Sequence, residues 1–179
     1  MAIHITQRQP FMRLENEVKA MTKWDRRFCE LSQFIAAWSK DHAKVGAVVV
    51  SKRGAAVGLG YNGFPIGVED STERLENDEI KLDMIIHAEQ NAIINAGSKT
   101  EGGTLYVWGK PICSRCAGFI IQSGIKRVVA MNPMSVDSTS KWLPTGRRAI
   151  EMFEETGIDV CFYKCDCETI RSGERYANE

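Results

Sequence analysis

Apolar residues recur along this chain in two alternating rhythms. Trp24, Phe28, Leu31, Ile35 and Trp38 fall at helical spacing and predict a helix with one apolar face. "KVGAVVV" is continuously apolar after its lysine and reads as a buried strand, "SKRG" as a turn, and "AAVGLGYNG" as the hairpin partner. From Phe64 to Asp83 the rhythm lapses into a long, acidic, loop-like insertion with one helical piece around "TERLENDEIKL". Three similar cycles then follow. A helix over 87–96, which Ile93, Ile94 and Ala96 could hold, stops at Gly97 and leads into strand "TLYVW". The segment 113–123 stops at Gly124 before "IKRVVA", and 145–156 stops at Gly157 before "IDVCFY". Helices alternating with short strands predict an α/β fold: a three-layer α/β/α sandwich on a mixed five-stranded sheet, opened by an antiparallel hairpin and continued in parallel. Residues 1–22 are polar and without sustained period, so a mobile N-terminal arm is expected, then a domain over 23–165 and a tail over 166–179.

The totals narrow the classes. At 179 residues the chain suits one domain with one ordinary core. Lysine plus arginine equals aspartate plus glutamate at 23 each, so no global field steers it to nucleic acid or a membrane, and any anion must be held by local groups. No apolar run approaches the roughly 20 residues of a membrane span, and "MAIHITQRQPFMR" has no signal-peptide core. The expected location is cytoplasmic. The six cysteines, at 29, 113, 116, 161, 165 and 167, are clustered unevenly, which in a reducing compartment suggests metal or redox chemistry more than staples.

Two helix starts carry the chemistry. In "KPICSRCAGFIIQSG", Cys113 and Cys116 are three apart and can reach one ion from one helix face. The helix start also favours thiolates. "LDMIIHAEQNAIINAG" begins the preceding helix with His87 and Glu89, and adjacent parallel strands would bring both starts to the same sheet edge. A histidine and two cysteines leave one position of a tetrahedral zinc ion open, as in catalytic sites. Glu89 is then expected to move protons rather than bind the metal.

His-x-Glu followed by a proline and Cys-x-x-Cys is the pattern of zinc-dependent nucleobase deaminases. The run "KVGAVVV…GYNGFPIGVEDS…HAEQNAI…TLYVW…CSRCAGFIIQSGIKRVV" resembles the deoxycytidylate deaminase family over about residues 24–130, and Trp142 to Val160 fits its closing helix and strand. "GYNGFP" with a long insertion before the histidine is the feature most particular to that group. The resemblance implies a cytidine deaminase-like fold and zinc-dependent hydrolysis of dCMP to dUMP and ammonia, supplying dUMP for thymidylate synthesis. It also implies that the Ala88 N–H binds the pyrimidine carbonyl and Asn62 the sugar. Lys44 and Arg115 are the candidates for the phosphate. A homo-oligomer, often a hexamer, with dCTP and dTTP as allosteric effectors, is implied as well. One departure stands out: Ile112 separates Pro111 from Cys113, where the family has proline directly before cysteine.

Other readings stay open on the residues alone. Cys113 and Cys116 could be a redox pair, which leaves His87 and Glu89 without a role. "CFYKCDC" could hold a second metal through Cys161, Cys165 and Cys167, although Cys161 reads as a core strand residue. Asn62 between glycines is a natural turn residue, and Lys44 and Arg115 could simply be solvated. The substrate could be another free cytosine nucleoside or nucleotide, such as cytidine, deoxycytidine or dCTP, or a related free base. A polynucleotide editor needs a basic track that this chain lacks, and a purely structural zinc module needs no Glu89.

Overall fold

The computed structural model describes residues 20–163. Most of the expected arm and tail, with Cys165 and Cys167, therefore lies outside the described residues. Five strands, β1 (Gly46–Val50), β2 (Ala56–Tyr61), β3 (Thr104–Trp108), β4 (Arg127–Met131) and β5 (Asp159–Tyr163), form one sheet in the order β2-β1-β3-β4-β5. β1 runs antiparallel to both β2 and β3, whereas β3, β4 and β5 are mutually parallel. The expected mixed sheet is present, with β1 as its one reversed member.

Alternation along the strands builds two cores. Ala47, Val49, Leu105, Val107, Val128, Ala130 and Val160 face the helices α4 (Ala88–Ala96), α5 (Ser114–Gln122) and α6 (Trp142–Thr156). Val48, Val50, Tyr106, Val129 and Cys161 face the other side, where α1 (Lys23–Ala36) contributes Cys29, with Phe28 and Leu31 packed against the cluster. This is the α/β/α sandwich. No described helix is long and apolar enough to cross a membrane.

Four details differ from the sequence reading. The apolar stripe of α1 is buried only in its middle: Ile35 is in the core and Phe28 and Leu31 pack against it, whereas Trp24 and Trp38 at its two ends are 60% and 51% exposed. Asp25, Cys29, Ser32 and Ala36 complete the buried face. Small residues are needed there, because a methyl group on Gly46 of β1 would lie 2.0 Å from the Ser32 carbonyl. Likewise Ile94 of α4 is 66% exposed, and the helix docks through Ala88, Ala92 and Ala96. Their partners are Gly58 and Gly60 of β2, where an added methyl would come within 2.2 Å and 2.3 Å of the Ala92 and Ala88 carbonyls. Finally, the insertion holds two short helices, α2 (Thr72–Glu76) and α3 (Asp78–Met84), divided at Asn77, whose side chain accepts from the N–H groups of Glu79 and Ile80. Trp142 starts α6 earlier than the expected position 145, since Pro144 is tolerated in a first turn.

β2 is an edge strand, yet its carbonyls are not left for a neighbour. Asn91 and Asn95, one turn apart on α4, donate to the carbonyls of Tyr61 and Leu59 at 2.8 Å each. The same helix that packs on β2 thus blunts its edge.

At the other end of α1, a buried ion pair joins helix to sheet. Asp25 closes a capping box with Thr22, accepts from the Tyr106 hydroxyl at 2.9 Å, and receives Arg127 of β4 at 2.5 and 3.1 Å. Arg127 also donates to Asp159 of β5 at 3.2 Å. Burial alone would raise the Asp25 carboxyl, but hydrogen bonds from Arg127, Thr22 and Tyr106 outweigh it and hold the group well below the usual carboxylate range. A carboxyl depressed in the folded state stabilises the fold above its unfolded value and loses that contribution as pH falls toward its folded value. Asp25→Asn is therefore expected to cost about 3 kcal/mol near neutral pH, the lower end for breaking a buried pair because Arg127 keeps Asp159. Denaturant unfolding at a series of pH values should show the gap from the parent protein narrowing below about pH 4, the ordinary aspartate range. A gap independent of pH would remove the charge from the explanation.

Candidate metal and catalytic site

β2 and β3 are not neighbours, as adjacent parallel strands would require, because β1 lies between them. Both run antiparallel to β1, so they are parallel to each other and end at the same edge of the sheet. β3 leads directly into α5. β2 is followed by the insertion, whose two ends are closed by paired backbone hydrogen bonds between Gly63 and Ile86. That bridge returns the chain to the end of β2 one residue before His87. Two helix starts thus meet at one place although twenty-two residues intervene in one connection.

His87 is the N-cap of α4 and Cys113 the N-cap of α5. His87 Nδ1 lies 3.2 Å from Cys116 Sγ and 3.6 Å from Cys113 Sγ. The three donor atoms all lie within 4.8 Å of one another. Zinc–sulfur and zinc–nitrogen bonds of about 2.3 and 2.0 Å at a tetrahedral angle place such atoms about 3.5 Å apart, so the donor set fits zinc in both chemistry and spacing. The backbone at His87 is fixed by its cap: the Gln90 side chain accepts from the His87 N–H at 3.0 Å. The α5 start is fixed from α6, where Thr145 Oγ1 accepts from the Ser114 N–H at 3.0 Å. Ile112, the residue additional to the family pattern, is absorbed by the core and leaves Cys113 in ordinary extended backbone.

The three donors shift one another's proton affinities. Hydrogen bonds from Cys116 and His87 hold the Cys113 thiol down to about 4 against its burial. Cys116, which donates to Cys113 and is buried beside Glu89, is pushed up, and His87 is raised by its bond to Cys113. A proton-linked cluster of this kind exchanges protons for a cation. Glu89 stands next to it, 3% exposed, its carboxyl raised by burial and hydrogen-bonded with the Cys116 thiol. It is outside the three-donor group. Trp142, at the start of α6, has its ring centroid 6.3 Å from that of His87 and walls the site. The hydrophobic pattern left Trp142 outside the helix expected over 145–156, and only the family resemblance placed it there, because nothing local marks a residue that walls a site.

The remaining expected contacts are placed unevenly. Ala88 is fully buried at the first position of α4, where its N–H has no intrahelical acceptor. Asn62 is buried, and both its amide protons are committed, to Asp41 Oδ2 at 3.1 Å and the Ala43 carbonyl at 3.0 Å. Its Oδ1 accepts from the Val45 N–H at 2.8 Å and retains one lone pair. Arg115 is exposed and near enough for its charge to act on His87. Lys44 is exposed, with its ammonium on the Ser39 carbonyl.

Known proteins agree with this geometry. Residues 22–132 match the family described as the cytidine and deoxycytidylate deaminase zinc-binding region. The chain belongs to that family. An uncharacterized deaminase in the luxG 3′ region of Aliivibrio fischeri is 35% identical over 146 residues, covering 82% of this chain and 97% of that one. The human deoxycytidylate deaminase is 38% identical over 123 residues, covering 65% and 68%. The dCMP deaminase of cyanophage S-TIM5, solved in complex with dCMP and dUMP, superposes with a TM-score of 0.61 at 23% identity, over 81% of this chain and all of that one, and shows the same fold. The protein is a zinc-binding deaminase.

Cys113→Ala and Cys116→Ala each leave an incomplete donor set, so bound zinc and activity should be lost and thermal stability lowered. A site worth even 1 kcal/mol shifts Tm by about 2–4 °C in a domain of this size. Elemental analysis finding one zinc per chain in either variant would strike that cysteine from the ligands.

Proposed function

We propose that the protein deaminates dCMP hydrolytically to dUMP and ammonia, with His87, Cys113 and Cys116 holding zinc and Glu89 carrying the protons. The observation that carries this reading is the buried carboxyl of Glu89 beside, but outside, the three-donor cluster. A structural site has no use for it. The relatives named deoxycytidylate deaminase support dCMP as the substrate.

Zinc held by these residues supplies Lewis acidity that makes water nucleophilic near neutral pH. Glu89 accepts a proton from the attacking water and delivers it to N3 of cytosine as oxygen adds to C4. It then passes a proton to the exocyclic amine, and ammonia leaves. Burial raises the Glu89 carboxyl and so suits it to both halves of that cycle. The Ala88 N–H donates to the pyrimidine carbonyl. Asn62, with its amide protons spent, offers Oδ1 as an acceptor to a sugar hydroxyl. Arg115 and Lys44 supply the cations for a single 5′-phosphate. The reading carries with it a cytoplasmic location and a homo-oligomer, hexameric by family resemblance, regulated by dCTP and dTTP. The exposed apolar residues Phe34, Trp38, Leu59 and Tyr61 support association between copies.

Glu89→Gln preserves shape and metal while removing the proton carrier, and deamination should fall by at least about 10²-fold. Appreciable turnover by a folded, zinc-loaded variant would mean that another group moves the protons. A phosphate held by one cationic side chain typically gains about 1.5–3 kcal/mol, so dCMP should exceed deoxycytidine in kcat/KM by roughly ten- to hundredfold. Steady-state assays on dCMP, deoxycytidine, CMP and dCTP test this, and equal efficiency on dCMP and deoxycytidine would favour a nucleoside deaminase. Arg115→Ala and Lys44→Ala, measured on both dCMP and deoxycytidine, should lose efficiency on the nucleotide alone.

A further inference from the structure

The insertion between Gly63 and Ile86 is weakly anchored by apolar contact. Neither α2 nor α3 has a fully buried residue. Yet Lys81, in the last turn of α3, has a side chain only 11% exposed, and it reaches the carboxylate of Asp41, itself 5% exposed, at 3.3 Å. Its second partner, Asp78, is 3.0 Å away and 74% exposed.

Asp41 is the hub of a polar knot. Its Oδ2 accepts from Asn62 Nδ2 at 3.1 Å and its Oδ1 from the Ala43 N–H at 3.1 Å. Ser39 Oγ accepts from the Asp41 N–H at 3.1 Å and donates to the Asn62 carbonyl at 2.8 Å. Three segments far apart in sequence meet here: the loop after α1, the "GYNG" turn and the insertion. Asn62 has no freedom left to choose its rotamer, and Gly63, next in the chain, is bridged to the residue before His87. An ion pair this buried sacrifices solvation, and its use is to fix geometry.

We propose that Lys81 is a positioning residue for the reaction: through Asp41 it clamps the insertion onto the loop and turn that orient Asn62, and so sets the shape of the nucleotide site. The proposal rests on the deaminase reading for its kinetic consequence. Its structural consequence stands separately. Lys81 touches neither the three-donor cluster nor Glu89, so its loss should weaken substrate capture more than turnover.

Zinc-loaded full-length protein, Lys81→Met, Lys81→Arg and Asp78→Asn are compared for kcat and KM on dCMP, zinc content, and the rate of proteolytic cleavage within residues 64–85. Lys81→Met should raise KM about three- to thirtyfold, the range of indirect coupling through packed networks, with kcat within about twofold. Its zinc content should be unchanged and its insertion cut faster. Lys81→Arg should restore KM, and Asp78→Asn, which removes the exposed partner alone, should change neither readout. Should Lys81→Met fail to fold, Lys81→Gln, which can still donate to Asp41 without the charge, is measured in the same way. An unchanged KM, a fall in kcat at constant KM, or unaltered cleavage of the insertion overturns the proposal. A wild-type protein inactive on dCMP overturns the substrate reading instead, and the cleavage comparison then decides the clamp by itself.

Discussion

Ala88, Ala92 and Ala96 lie against Gly58 and Gly60 so closely that a single methyl group on either glycine would meet backbone atoms. That contact sets how near α4 comes to the sheet, and the site depends on it. His87 caps this helix and Glu89 lies in its first turn. A helix held at an ordinary distance by large side chains would carry both outward by ångströms, and the imidazole would no longer meet two thiols fixed on α5. Asn91 and Asn95 add to the same seam by bonding the edge carbonyls of β2. Burial in this helix therefore follows small residues, and the large ones, Ile94 above all, are left outward.

The sandwich spends its buried charges at two places with different purposes. Asp25, Tyr106 and Arg127 tie the start of α1 to the centre of the sheet, a compact network in which the carboxylate is fully matched by donors. Asp41, Asn62 and Lys81 join three other segments, the loop after α1, the turn at Asn62 and the insertion, whose two short helices have no fully buried residue of their own. The metal donors are a third kind of polar burial. Their thiols and imidazole lie in contact with one another, and Glu89 beside them is held toward its neutral form by burial.

Much of this was legible in the residues. Helix stops at Gly97, Gly124 and Gly157, the strands, the mixed sheet and the pairing of His87 and Glu89 with Cys113 and Cys116 all follow from spacing and elementary chemistry. Two glycines at i, i+2 facing alanines at i, i+4 were also there to be read, as "GLG" and "AEQNAIINA". They went unused because apolar periodicity weights large side chains and is blind to contacts made by the absence of one. The apolar spacing in α1 found the inward face through Phe28, Leu31 and Ile35 but extended it too far, to Trp24 and Trp38, because periodicity does not tell where along a helix the contact with the sheet ends.

What the sequence by itself determined is the local and the chemical: which segments are helix or strand, which residues can bind a metal, and which carboxyl has no structural need to be there. Tertiary structure alone decided how these combine. The reversal of β1 between β2 and β3, the closing of the insertion by Gly63 and Ile86, and the commitment of the Asn62 amide to Asp41 and Ala43 are contacts between segments tens of residues apart. Their energies depend on distances that no periodicity along the chain encodes, since a hydrogen bond or a close backbone approach is decided within a few tenths of an ångström in space.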